Sequence, residues 1–423
     1  MRAGRVALLV AALAMPYGVL ALIFAYRVNI PYWDEWQWTD FVYHMHLGTL
    51  TLGELWQPHN EHRIFVPNLL MVTLAWLGGW DVVRQQILEL ALYMACQLCL
   101  WRLIRRTVDP RAVPVTFFGA SALLYSLEQS TNFAYGDQLG WPVCTLGLLT
   151  AAVLLTHERP SRVDVGVAAL VTAAGSYSSS QGMLVWPVGV VMLLLAPRRS
   201  LKAIAGWMSC GLVVVAIDQI GRAPSSGHPP VDPGMLLAYS LAYLGNPLVG
   251  WAGLVPSIAI GALCVVVVAG FAVLDAMRRD PGALAAHAPW YGLAAYAVVA
   301  APITGFARLD GGVGQALSYR YVAISSMLTI ALLVMFVQIA VSRGRFVVQA
   351  AAAVAVACMT LLVVPASRSG LDYWRAYAAQ REIDLAEIRS GDVPAATDAF
   401  PSIPLLETYV SELRQVRDGP FLP

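Results

Sequence analysis

Runs of about twenty apolar residues recur along the whole of this chain, separated by short polar stretches. A run of that length is what an α-helix needs to cross the hydrocarbon core of a bilayer. Lipid offers no water to unpaired backbone groups, so repeated runs of this kind can be satisfied as packed helices. Composition agrees: of 423 residues, 58% are hydrophobic and 13% charged, with mean hydropathy +0.63. A soluble domain carries about 25% charge. The expected fold class is therefore an all-α polytopic membrane protein. A net charge of +1 gives no basis for binding nucleic acid.

The N-terminal run Val6–Tyr26 could pass for a signal peptide, but it outlasts a typical apolar signal core and reads as a first span. Val82–Leu103 is a second. The remaining spans are read at 113–128, 139–156, 163–179, 182–196, 201–220, 249–276, 286–306, 322–341 and 346–365, about eleven in all. Ile64–Trp80 is ambiguous, because it contains Pro67 and ends in Gly78-Gly79-Trp80. If it only dips into the interface, the cluster Arg102, Arg105, Arg106 and Arg111 falls inside, as the positive-inside rule prefers. That topology puts fifteen Arg/Lys residues inside, among them Arg278, Arg279, Arg343 and Arg345, against six in the outer loops. The N-terminus is then cytoplasmic. The division is a membrane domain over 1–366, with a first outer loop at 27–81 carrying interfacial helices, and a short outer tail over 367–423. Within the tail, Leu371–Arg389 has the pattern of an amphipathic helix. Gly221–Pro233 reads as a loop.

Cys96, Cys99, Cys144, Cys210, Cys264 and Cys358 all lie within apolar runs. They read as packing residues, since redox or metal chemistry needs a thiolate or further ligands.

One polar interruption stands out. Asn29–Arg63 holds four of the seven histidines and five acidic residues. Asp34 and Glu35 sit side by side between Trp33 and Trp36, just after a span. Carboxylates flanked by interfacial aromatics mark a candidate site. His59, Glu61, His62 and Arg63 form a second element. Other unusual residues on the outer side are Glu128, Asp137, Gln138, Arg308, Arg320 and Tyr321. Ser176–Gly182 is a polar break between two runs, which survives at membrane depth only if buried in protein or lining a wet cavity.

The order of these features resembles the GT-C superfamily of polyprenyl-phosphate-sugar glycosyltransferases. That group includes the protein O-mannosyltransferases and the lipid A aminoarabinose transferase. The likeness rests on one span, an outer loop opening with Asp34-Glu35, His62-Arg63 ahead of an interfacial helix, and a second span ending in Arg-Arg. Further short matches are the Trp-Asp-Glu-Trp start, Asn-Glu-His-Arg, Glu128…Asn132-Phe133 and Ser318-Tyr-Arg320-Tyr321. The chain departs from the pattern at Ile64-Phe65, where that group carries Pro-Pro, and its tail is read as short.

The resemblance implies a GT-C-like bundle in the bacterial inner membrane with its site facing outward. It implies a polyprenyl-phosphate-linked sugar as donor, a cell-envelope glycan or lipid as acceptor, and membrane lipids as surroundings. Such transfer needs a base, cations for the leaving phosphate, and a cleft that positions the reactants. Asp34 is the candidate base. Glu35 would orient it, bind the acceptor or help hold a divalent cation. Arg63, Arg308 and Arg320 are candidate phosphate ligands, because the guanidinium fork can pair two oxygens. His59, Glu61, His62, Glu128, Asp137, Gln138 and Tyr321 complete the candidate substrate-binding set. The alternatives are helix capping for the acids and interfacial anchoring for the cations. Two histidines three apart with one carboxylate can bind zinc, but without a third fixed ligand the spacing is a weak metal signal. A flippase of lipid-linked sugar and a lipid-diphosphate-dependent polymerase or ligase are the rival functions.

Overall fold

The computed structural model describes residues 2–59, 62–222, 231–278, 280–341 and 346–422. It is all-α apart from one two-residue hairpin. In order, the helices are α1 (Arg2–Ala25), α2 (Thr39–Leu47), α3 (Leu52–Trp56), α4 (Phe65–Gly78), α5 (Val82–Thr107) and α6 (Val113–Leu124). Next come α7 (Thr131–Ala134), α8 (Gly140–Leu155), α9 (Arg162–Ser176), α10 (Val185–Leu195), α11 (Leu201–Gln219) and α12 (Pro233–Val249). The last five are α13 (Leu254–Arg278), α14 (Pro281–Arg308), α15 (Val322–Val341), α16 (Phe346–Ser390) and α17 (Ile403–Val416). Strands β1 (Pro58–His59) and β2 (His62–Arg63) pair antiparallel. Arg279, Arg343, Arg345, Glu61 and residues 223–230 of the Gly221–Pro233 loop lie outside the described residues.

Among the described residues, seven helices are long and apolar enough to cross a membrane, against about eleven read from the sequence. The other four expected spans are helices of 12, 16, 15 and 11 residues, namely α6, α8, α9 and α10. At 1.5 Å per residue these reach about 17–24 Å, short of a hydrocarbon core of about 30 Å. The expected runs are themselves among the shortest, and polar residues at one end of each fold into short turns. Ser126–Gln138 and Ser176–Leu184 are those turns. Helix α4, with 14 residues, is also too short to cross unaided. Its Trp76 and Leu77 are exposed, as an interfacial helix requires.

The bundle is centred on α15. Every side chain from Val322 to Val337 except Phe336 is buried. Helix α12 is a second departure from expectation, since no helix is expected between residues 220 and 249. It packs on α13 by direct backbone approach: a Cβ on Gly245 would strike the Ser257 carbonyl, and one on Gly261 the Leu241 carbonyl.

The boundary at 366 is not a break in the chain. Helix α16 runs 45 residues through it without interruption, roughly 68 Å. Its polar half carries the tail back onto the loop at 27–81. A separate hydrophobic cluster forms there from Ile30, Trp36, Trp38, Val42, Met71 and Trp80 on one side and Ile388, Phe400, Leu406, Val410 and Leu413 on the other. Asp418 fastens it: one carboxylate oxygen accepts from Trp80 N–H at 2.6 Å and the other lies 2.7 Å from His46 Nε2. Asn29 Nδ2 donates to Gly419 O at 3.2 Å. Loop and tail thus form one folded layer over one end of the bundle.

Candidate functional site

Trp33–Trp38 forms a 3₁₀ helix. Trp33 enters it with φ of +49°, in the left-handed region, and its N–H donates to Ala399 O in the tail at 2.9 Å. For a bulky residue that conformation costs about 1–3 kcal/mol and persists only where surrounding contacts impose it. Glu35 is one such contact. It is fully buried, accepting from Tyr32 N–H at 2.7 Å and from Gly136 N–H. Glu35 therefore ties the first loop to the turn after α7. Its neighbour Asp34, about half exposed at 49%, faces a cavity, with His59 Nε2 3.9 Å from Oδ2.

That cavity has a volume of about 660 Å³. Asp34, Gln37 and Trp38 line it from the 3₁₀ helix, and His59 and His62 from the hairpin. Asp137 and Gln138 enter from the turn before α8, and Ser178, Ser179, Ser180 and Gln181 from the polar break. Arg308 closes the end of α14, while Arg320 and Tyr321 precede α15. Ile64, Pro67, Ile303 and Phe306 supply an apolar section of wall, and Phe400, Leu405 and Tyr409 of the tail complete it. Such a volume suits a ligand of phosphorylated-sugar size.

The acids are unequal. Burial pushes the Asp137 carboxyl above the ordinary carboxylate range. The hydrogen bond from Gln138 opposes this, the Asp34 charge adds to it, and Arg320 opposes it. Glu35 is also raised, by burial first and then by the Asp137 charge, against three backbone hydrogen bonds. Arg320 sits over the Tyr321 ring at 5.3 Å, and its Nε has no hydrogen-bond partner among the described residues. The Tyr321 hydroxyl is likewise unpartnered and buried. Gln138 accepts from Trp141 Nε1 at 2.8 Å, which fixes the amide at the cavity edge.

Of the residues singled out in the sequence, Asp34, His59, His62, Asp137, Gln138, Arg308, Arg320 and Tyr321 come together on this cavity. Glu61 lies outside the described residues. Three others do not line it. Glu35 is turned into the protein, as above. Arg63 is 2% exposed. Its Nε donates to Asp218 O at 3.2 Å, its terminal nitrogens donate to Trp56 O and Ile220 O, and its guanidinium lies 4.6 Å from the Trp56 ring centre. It bolts the hairpin to the end of α11 and is buried away from the cavity. Glu128 is buried in the turn after α6, its Oε1 against Gly250 and its Oε2 without a partner. Burial pushes its carboxyl up to about 8.

The sequence reading missed Thr304 and the tail residues Phe400, Leu405 and Tyr409. Thr304 could have been flagged as a polar side chain near an outer helix end. No local signal marks the tail residues, which reach the cavity only because the tail folds back. Among the described residues, no group of three or more His, Cys, Asp or Glu side chains is placed to hold a metal ion. No family model, no curated protein and no solved structure matches the chain.

The arrangement joins a solvent-accessible carboxylate to two guanidinium groups in a partly apolar hollow. It can accept a proton at one point and hold an anion at another.

Proposed function

We propose that the chain is a membrane glycosyltransferase. It would move a sugar from a polyprenyl-phosphate donor to a cell-envelope glycan or lipid at the outer face of a bacterial inner membrane. The observation that carries this reading is the single cavity shared by Asp34, Arg308 and Arg320, bounded in part by apolar side chains. The likeness in motif order to GT-C transferases supports it. In this reading the donor phosphate lies against Arg308 and Arg320, and the lipid leaves along Ile303 and Phe306, which are exposed.

Asp34 takes the proton as the acceptor oxygen bonds to the anomeric carbon. The bond from that carbon to the phosphate oxygen breaks, and the departing negative charge falls to the guanidinium groups. A single displacement of this kind inverts the anomeric centre. Glu35 acts through structure, by fixing the 3₁₀ helix that presents Asp34. Arg63 is likewise a support for the hairpin. The N-terminus is cytoplasmic and the tail lies on the periplasmic side, with the site.

The test uses purified protein in liposomes with a panel of radiolabelled polyprenyl-phosphate sugars. Consumption of one donor with release of polyprenyl phosphate is expected. Movement of intact lipid-linked sugar between leaflets, with no donor consumed, would replace this reading with the flippase.

A further inference from the structure

Trp33 and Asp34 are consecutive residues, with Cα atoms about 3.8 Å apart, yet they line different hollows. Trp33 lines a second hollow, of about 340 Å³, that the proposed chemistry does not use. One wall is the polar half of α16, where Tyr373, Tyr377, Gln380 and Arg381 recur at helical spacing. Trp33 and Asp398 face it from the loop and the tail.

Two kinds of surface meet here. The rings of Tyr373 and Tyr377 are nearly parallel, at 11° with centroids 6.4 Å apart, and Trp33 is half exposed. Beside them Arg381 is 3% exposed, 4.2 Å from the Tyr32 ring centre. One terminal nitrogen pairs with Asp384 at 2.7 Å, while Nε and Nη1 have no hydrogen-bond partner among the described residues.

The charges narrow the choice. Asp384 already balances Arg381, and the carboxylate of Asp398 at the rim repels an anion. A phosphate group is therefore disfavoured. A purely apolar ligand would cover the polar side chains of Gln380, Thr397 and Asp398 without pairing them. A sugar meets both demands: its C–H faces lie on aromatic rings, and its hydroxyls both donate and accept.

We propose that this hollow binds a neutral saccharide and is the acceptor subsite, holding a glycan chain on Trp33 so that its terminal hydroxyl reaches Asp34. The subsite role rests on the glycosyl-transfer reading; saccharide binding does not.

The experiment is isothermal titration of the purified full chain with neutral oligosaccharides of two to six units, built from glucose, mannose, galactose, arabinose or N-acetylglucosamine. Inorganic phosphate is titrated in parallel. At least one series should bind saturably, lengthening the chain should tighten binding, and Trp33→Leu and Gln380→Ala should each weaken it tenfold or more. No saccharide binding at millimolar concentration, or binding unchanged in both variants, overturns the proposal. So does phosphate binding that Trp33→Leu or Gln380→Ala abolishes. Donor hydrolysis without saccharide binding sinks the subsite and spares the transferase reading. Saccharide binding by a chain that consumes no donor sinks the transferase reading and the acceptor role, and leaves the saccharide site.

Discussion

Helix α15 buries nearly every side chain along its length against helices packed on all sides. The layer of loop and tail buries a sparser set, Trp36, Val42, Met71 and Trp80, against partners more than 300 positions further along the chain. The bundle is thus held by close apolar packing between long helices. The layer is held by a small core plus a few buried polar fasteners, of which Asp418 and Glu35 are the main ones. Regions of the second kind open more readily than the first. The candidate site lies where the two meet, so its rigidity depends on the weaker partner.

That contrast can be broken from either side. The largest effect is expected in the bundle. Gly261→Val drives a branched side chain into the Leu241 carbonyl. Overpacking costs about 1–3 kcal/mol, and more where the obstacle is backbone. Thermal unfolding in detergent should fall sharply and take the whole chain with it. A variant with unchanged melting would mean that α12 and α13 are not in close contact.

Next comes Asp418→Ala. It leaves the buried N–H groups of Trp80 and Gly419 without their acceptor. Each orphaned group costs about 1–3 kcal/mol. Limited proteolysis should cut the tail and the first loop early while the bundle resists. Simultaneous loss of both regions would show that layer and bundle form one cooperative unit.

The smallest effect is a pH slope at Glu128. Its native carboxyl, at about 8, lies above the ordinary value of 4.5. The folded state thus binds the proton more tightly than the unfolded chain, and its contribution to stability is full below about pH 4.5 and lost as pH rises through about 8. Glu128→Gln removes this slope, and melting temperatures of variant and wild type should differ by a few degrees between the two ends of that range. Parallel curves would contradict it.

Much of the bundle was legible in the sequence because apolar length is a local property. The polar break at Ser176–Gly182 was legible for the same reason, and it lines the cavity as expected. Asp34 was found through its setting beside a span among tryptophans. Among the described residues seven helices, against about eleven expected, are long enough to cross alone, because hydropathy does not reveal that Ser126–Gln138 folds into turns. Arg63 and Arg320 look alike in sequence, as cations just ahead of an apolar run. Only the distant carbonyls of Asp218 and Ile220 separate the bolt from the cavity residue. The tail's part in the site depends on pairings such as Trp33 with Ala399, which no local pattern carries.

The central claim is that Asp34 takes a proton in a cavity whose guanidinium groups hold the donor. The direct measurement is single-turnover release of polyprenyl phosphate by Asp34→Asn, with donor binding followed separately. General-base loss should slow release by about 10²–10⁴-fold while donor affinity stays within a few-fold of wild type. Release at the wild-type rate would remove Asp34 from the chemistry and the account with it.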